Sequence, residues 1–312
     1  MKFSILIPAY KKRYLKTCLD SVFTQTFDDY EVIVLNDNSP EDVESIVLSY
    51  KDHRIKYFRN NYNVGSEKVV DNWNKCLSES SGDFVLCIGD DDCLAPNCLE
   101  VYDNLINKYP HSNVFHAWTC IINGDGEFIR MQEPRPEVES AFSMLSGRWF
   151  NKRMQFIGDW LFRSETLKSL GGFYMLPFAW GSDDITAIMC ASNQPIINSQ
   201  TPLFFYRDNQ QTISNSGNNK GKVLAKILQR QWYTKFLYGQ DEKSLDQISL
   251  LCLKFCKENL HDYFCKEYIN CIRCDMIENR SIHNFFYWFK KSSSLNVQRR
   301  LIVLLYFKVL LK

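Results

Sequence analysis

The chain has no apolar run approaching the roughly 18 to 20 residues that a membrane-spanning helix needs. Its opening, Met1 to Pro8, carries only a few apolar residues and no small-residue cleavage pattern, which argues against a secretory leader. A cytoplasmic protein is the expectation. Glycine-rich phosphate cradles are missing too: neither G-x-G-x-x-G nor G-x-x-x-x-G-K-[ST] occurs, so dinucleotide and P-loop readings lack their cradle. Cys271-Ile272-Arg273-Cys274 is the one C-x-x-C, with Cys252, Cys256 and Cys265 nearby. No second C-x-x-C or spaced His pair completes a ligand set, so a zinc or redox centre is the weaker reading. The 12 cysteines read instead as reduced thiols.

What is present is a globular composition, 312 residues with 45% hydrophobic side chains, and a formal charge of +1 that hides an asymmetry. Residues 1–218 hold 20 Lys and Arg against 28 Asp and Glu, whereas residues 219–312 hold 17 against 8. The acidic part suits metal and substrate chemistry, and the basic part suits an anionic surface. Two domains are expected, 1–218 and a helical extension over 219–312.

The acidic part centres on Phe84-Val85-Leu86-Cys87-Ile88, a short apolar run that discharges into Gly89-Asp90-Asp91-Asp92. A run this short and uniformly apolar, with Gly82 before it, predicts a buried strand over 84–88. Three adjacent carboxylates repel one another unless a cation offsets them. Mn²⁺ or Mg²⁺, held by one or two carboxylates and completed by phosphate oxygens, is the natural offset. A solvated acidic turn is the bland alternative.

The preceding segments alternate. Strands are expected over 3–7, closed by Pro8, over 31–35 and over 55–58. Between them lie helices carrying Leu15, Cys18, Leu19 and Val22, then Val43, Ile46, Val47 and Tyr50, then Val69 to Leu77; Ser39 is the expected N-cap of the second, with Pro40 at its first position. This alternation predicts a mostly parallel, doubly wound α/β sheet. Ligands bind such sheets at the carboxyl ends of the strands, which gathers Pro8-Ala9-Tyr10, Asp37-Asn38 and Asp90-Asp91-Asp92 on one edge.

In order, Ser4-Ile5-Leu6-Ile7-Pro8-Ala9-Tyr10, Leu15, Leu19, Ser21, Gln25, Val34-Leu35-Asn36-Asp37-Asn38-Ser39, Asn63-Val64-Gly65 and Gly82 to Asp92 resemble the family 2 glycosyltransferases of GT-A fold. The resemblance implies that Asp37 contacts the base of a nucleotide, usually uracil, with Pro8, Ala9, Tyr10, Asn63 and Gly65 beside it. It makes the aspartate run the DxD motif, with Asp90 at the ribose and Asp91 and Asp92 at the metal. Gly89 stands where the first Asp of that motif often stands, a departure that leaves open which two aspartates touch the metal.

Beyond the motif, a helix is expected through Pro96, Leu99, Val101 and Leu105, a strand over 114–122, and a tight turn at Asn123-Gly124-Asp125-Gly126 leading into a hairpin over 127–130. Residues 133–139 read as a surface loop, 156–162 as a strand, 165–170 as a short helix and 203–206 as a strand. Ser182 is a plausible N-cap that places Asp183 and Asp184 in a first helical turn, where the helix dipole favours their ionised form. By itself that pair is most simply a helix-stabilising feature. With Gly171-Gly172-Phe173 and Trp180 upstream it resembles the acidic pair of the family, which makes Asp184 the base that deprotonates the acceptor hydroxyl and Asp183 the neighbour that binds the acceptor. Trp180, with Gly181, offers an apolar face for a sugar ring, and a core aromatic beside a turn is the alternative. Arg207 and the polar loop over 208–221 resemble the element that closes on the donor, which puts Arg207 at the diphosphate.

The 222–312 segment is helical by pattern. Gln229-Arg230-Gln231-Trp232 differs in order from the QxxRW of processive members, so addition of a single sugar is expected. Its last apolar and basic segments fit an anionic membrane interface, a helix buried on the domain or a homodimer contact. The leading expectation is a metal-dependent inverting glycosyltransferase, taking a nucleotide-diphosphate sugar, a UDP-sugar first, to a glycan or lipid-linked glycan in surface polysaccharide or glycolipid assembly, at the inner face of the cell membrane and with no nucleic-acid partner. A nucleotidyltransferase and a binding module without turnover are the alternatives; the first lacks a basic Gly-rich loop after the opening strand.

Overall fold

The structure, a computed structural model, describes residues 1–150, 153–209 and 218–311. Of the polar loop expected over 208–221, residues 210–217 lie outside the described residues, as does Lys312. The described chain forms two compact units: Met1–Met175 with the segment from Ser182 to 209, and Leu176–Gly181 with the chain from 218.

In the first unit ten strands form one sheet: β1 (Phe3–Ala9), β2 (Tyr30–Asn36), β3 (Ile55–Arg59), β4 (Phe84–Cys87), β5 (Cys93–Leu94), β6 (Val114–Ile122), β7 (Phe128–Met131), β8 (Val138–Glu139), β9 (Trp160–Arg163) and β10 (Ile196–Arg207). The order is β3-β2-β1-β4-β9-β6-β10-β5, with β7 on β6 and β8 on β10. β1 to β4 are mutually parallel, β9 runs against β4 and β6, and β10 returns parallel to β6. The sheet is therefore mostly parallel, as expected from the strand-helix alternation. Strands sandwiched between helices must be apolar on both faces, and β2 and β4 are buried throughout.

Helices α1 (Leu15–Phe23), α2 (Val43–Leu48), α3 (Val69–Ser78), α4 (Cys98–Lys108), α5 (Ala141–Trp149), α6 (Ser164–Ser169) and α7 (Ser182–Ala191) complete this unit. α1 buries Leu15, Cys18, Leu19 and Val22, one stripe of a 3.6-residue period. The cap of α2 differs from expectation: Asp42 accepts from the Ser45 N–H, while the Ser39 hydroxyl donates to the Tyr10 carbonyl at 2.5 Å. Residues 156–162 are not one strand. A 3₁₀ turn at Ile157–Asp159 precedes β9, because the Asp159 carboxylate accepts from the Phe156 N–H and bends the chain. The surface loop expected over 133–139 holds in part: residues 133, 134, 136 and 138 are exposed, but two charges turn inward. Arg135 and Glu139 are 3% and 4% exposed, and Glu139 pairs with Arg153 and accepts from Asn198.

The second unit contains α8 (Asn219–Tyr238), α9 (Gln247–Glu278), α10 (Ile282–Lys291) and α11 (Arg299–Leu310). Lys226 pairs with Glu267 at 2.7 Å, joining α8 to α9. The buried Asp275 carboxylate of α9 accepts from Trp288 Nε1 at 2.7 Å and Asn284 Nδ2 at 2.8 Å, fixing α10, and Phe285 packs on Tyr306 of α11. All 12 cysteines are free thiols. Among the described residues no helix is long and apolar enough to cross a membrane.

One buried charge ties the parallel strands together. Glu31 of β2, 1% exposed, accepts from the Ser4 hydroxyl of β1 at 2.7 Å and from Ser81, and pairs with Lys56 of β3 at 2.6 Å. Burial opposes its ionisation, yet these donors win and hold its carboxyl at about 2. A depressed folded pKa adds stability above the unfolded value that is lost as pH falls toward 2. With Lys56 half in solvent, about 1 to 2 kcal/mol is at stake. Urea unfolding of E31Q against the parent should therefore show a penalty of that size at pH 6 that shrinks on acidification through pH 4 to 2.

Candidate active site

The parallel strands β1, β2 and β4 end on one edge, and their following residues meet there. Asp90 Oδ2 accepts from the N–H groups of both Tyr10 and Lys11, each at 2.7 Å. Tyr10 is 41% exposed, so its ring stands open beside the acidic turn. At the end of β2 the Asp37 N–H donates to the Ala9 carbonyl at 2.9 Å. Its nearly buried carboxylate accepts from Asn60 Nδ2 at 2.8 Å and the Val64 N–H at 3.0 Å. Asp37 thus anchors the loop holding Asn63, which is exposed, and Gly65, whose φ of +80° suits glycine. Hydrogen bonds thus link Tyr10 to Asp90, and Asp37 to Ala9 and to the loop that holds Asn63 and Gly65, with Pro8 next to Ala9 in β1.

Gly89 explains its own presence. A Cβ there would lie 2.9 Å from both Asp91 Oδ1 and Asp92 Oδ2, so these two carboxylate oxygens turn to the same side of a residue that can carry no side chain. Asp91 is half-buried, and its Oδ2 accepts from Asn209 Nδ2 at 2.8 Å. Asp92 is 5% exposed, and its Oδ1 accepts from the Arg207 N–H at 2.9 Å. Among the described residues no group of three or more His, Cys, Asp or Glu forms a metal cage. Two carboxylates with hard oxygens are nonetheless the protein's usual share of a Mg²⁺ or Mn²⁺ shell that phosphate completes, so the donor set fits.

Arg207 lies beneath this turn. It is 3% exposed, Nε donates to the Asp91 carbonyl at 2.8 Å, Nη1 to the carbonyls of Asn123 and Gly124, and the guanidinium stacks 4.5 Å from the Tyr14 ring. Its N–H groups serve the turn. Burial, then the Asp91 charge, push Asp90 up to about 6 against the opposing Tyr10 and Lys11 N–H groups. The same two causes raise Asp92 well above the carboxylate range, with Arg207 opposing.

Asp183 and Asp184 occupy the first turn of α7, 9% and 5% exposed. The dipole does not keep Asp183 acidic: burial, then the Asp184 charge, raise it to about 8, because desolvation outweighs a first-turn effect of a fraction of a kcal/mol. Asp184 Oδ2 accepts from Arg148 Nε of α5 at 3.2 Å, while its Oδ1 has no hydrogen-bond partner among the described residues. Arg148 went unseen in the sequence, where nothing around Ser146-Gly147-Arg148-Trp149 marks it. Equally unmarked is the polar core of the same unit, where Asp159 accepts from Thr119 and Gln132, and His116, 3.4 Å away, is pushed down by burial and Arg135. Asp159 contributes to the rise of Asp183.

Trp180 and Gly181 fall in the second unit. Lys222 Nζ sits 4.7 Å from the Trp180 ring centroid, and Gln229 Nε2 donates to the Trp180 carbonyl at 2.6 Å. Phe178 and Ala179 adopt left-handed φ values of 59° and 53°, a costly pair ahead of Gly181 at 89°.

Residues 4–171 match the sequence profile of the family described as Glycosyl transferase family 2. The chain is 36% identical over 133 residues to the GalNAc(5)-diNAcBac-PP-undecaprenol β-1,3-glucosyltransferase of Campylobacter jejuni, covering 41% of each chain. It is 29% identical over 133 residues to the UDP-Glc:α-D-GlcNAc-diphosphoundecaprenol β-1,3-glucosyltransferase WfgD of Escherichia coli, covering 42% of this chain and 51% of that one. The chain spans about half the length or less of these curated relatives. Its fold is similar to residues 1–349 of S. aureus TarS, solved with UDP-GlcNAc, at a TM-score of 0.63 and 17% identity over 99% of this chain and 90% of that one.

The raised carboxyls of the turn give a sign. Folded Asp90 and Asp92 keep protons that the unfolded chain has lost, so stability without metal falls as pH rises from about 4 to 6. D91N removes the charge both of them feel. In chelator it should flatten that fall and gain about 1 kcal/mol at pH 7, with little change at pH 4, by denaturant unfolding; loss of stability at pH 7 would count against the repulsion.

Proposed function

The chain belongs to glycosyl transferase family 2 and has the GT-A fold, and on that premise we propose that it moves one sugar, with inversion, from a nucleotide-diphosphate donor to an acceptor hydroxyl. The observation that carries the reading is the meeting of Tyr10, Asp37 and Asp90 at one sheet edge, tied by the two N–H groups on Asp90 Oδ2. Asp37 and the loop it anchors take the base, with Tyr10 beside it, and Asp90 takes the ribose. Asp91 and Asp92 are the residues that hold the divalent cation, which when bound neutralises the charge of the leaving diphosphate. Arg207 acts by holding the acidic turn from below.

The base is Asp184. Arg148 holds Oδ2, and the buried Oδ1, without a hydrogen-bond partner among the described residues, is the atom that takes the acceptor proton as the new C–O bond forms and the bond to the diphosphate breaks. Asp183 is the neighbour that shares the pair's charge. Trp180 and Gly181, next to it in the chain, are the acceptor-side residues. The relatives' names support a UDP-sugar donor and a polyprenyl-diphosphate-linked glycan acceptor. Such an acceptor is embedded in a bilayer, which supports a reaction at a membrane surface, taken here as the inner face of the cell membrane.

A thermal-shift panel of UDP, GDP, CDP and TDP, each with and without Mn²⁺, tests the donor site. Stabilisation by UDP only with metal is expected, and indifference to all four overturns the reading. D184N should lose at least about a hundredfold in transfer rate while keeping that shift. R148Q should act differently. Arg148 opposes the rise of Asp183, so its loss makes the pair hold its proton to higher pH, and the ascending limb of the pH–rate profile moves upward. An unmoved limb with unchanged rate would deny Arg148 its positioning role.

A further inference from the structure

From Asn279 to Lys312 there are seven Lys and Arg and no Asp or Glu. The helices of this stretch bury one side and leave the other greasy. α11 buries Ile302 and Val309, while Leu304, Phe307 and Leu311 are 57%, 58% and 87% exposed. Spaced by three and four residues, these form one stripe, with exposed Arg300 at its N-terminal end and exposed Lys308 on its flank. α10 repeats the pattern: Asn284 and Trp288 are buried, and Ile282 and Phe286 lie exposed at i and i+4, with exposed Lys290 one further step along.

Water alone does not account for large exposed apolar side chains in such a row, since each forgoes part of the gain of burial. A second copy of the chain is a poor occupant, because a symmetric contact would bring two wholly cationic segments together, and lysine is depleted at protein interfaces. An anionic bilayer satisfies both features: acyl chains take the apolar stripe and headgroup phosphates take the flanking cations. At 12 residues α11 is too short to span, so it lies in the interface plane.

We propose that the exposed face of α10 and α11 docks on a bilayer containing anionic lipid. This goes beyond the transferase reading and needs neither donor nor acceptor to be tested. Flotation of the full chain with vesicles of 30% phosphatidylglycerol in phosphatidylcholine, against pure phosphatidylcholine, reads it directly. Wild type should float with the anionic vesicles only, and less at 0.5 M than at 0.1 M salt. L304E/F307E should lose flotation with circular dichroism and melting unchanged. Should that variant misfold, R300Q/K308Q keeps the test sharp, with partitioning expected to fall about fivefold per cation removed. The proposal is overturned if wild type stays down with anionic vesicles or floats equally with neutral ones. It is overturned too if R300Q/K308Q floats like wild type, or if wild type dimerises through this face in sedimentation velocity without floating.

Discussion

A carboxylate crowded by two others at a strand end keeps a fixed place only if donors face it, and here the donors are two consecutive backbone N–H groups. Tyr10 and Lys11 both point at Asp90 Oδ2. The bonds fasten the end of β1 to the turn after β4, across about 80 residues of chain. Ser39 then fastens the end of β2 to the Tyr10 carbonyl, and Asp37 fastens it to Ala9. Arg207 and Asn209 add further ties to the acidic turn. The rim of the site thus joins main-chain groups of Tyr10 and Lys11 to two side chains, the Asp90 carboxylate and the Ser39 hydroxyl, and substitution of either would loosen it.

Two arginines, Arg207 buried and Arg148 half-buried, divide the electrostatic work. Arg207 spends its side-chain N–H groups largely on carbonyls and shapes the turn, so its charge opposes the rise of Asp92 without cancelling the set. Arg148 instead pairs with a carboxylate directly. The turn therefore keeps an uncompensated demand for positive charge, while the α7 pair has its cation built in.

How much of this was legible follows from how local each cause is. Strands apolar on both faces and amphipathic helices are written in short windows, so the alternation from β1 to β4 and the carboxyl-edge gathering of Pro8, Asp37 and Asp90 could be read directly. Ser39 and Asp42 both suit an N-cap, and the tie is broken by a bond from Ser39 to Tyr10 that no local window contains. Asp159 bends an apolar run because Thr119 and Gln132, far away in sequence, also donate to it. Arg135 and Glu139 look like surface charges until their partners are known. Arg148 has no local signature at all. The ionisation of Asp183 went the other way because the dipole is visible in sequence and burial is not.

The segment Leu176–Gly181 has a further consequence. The chain leaves the first unit after Met175, joins the second, and returns at Ser182 to begin α7, before departing again for α8. The C-terminal helices are therefore no appendage that one cut near residue 218 would remove whole. Such a cut would strip the Trp180 carbonyl of its Gln229 donor and leave the left-handed pair Phe178 and Ala179 without the unit that holds it. Two residues separate that pair from Ser182, and the acidic pair follows at once. Inheritance of this fold is consequently tied to inheritance of its helices: a recombination that swapped the tail alone would also rewrite the entrance to α7.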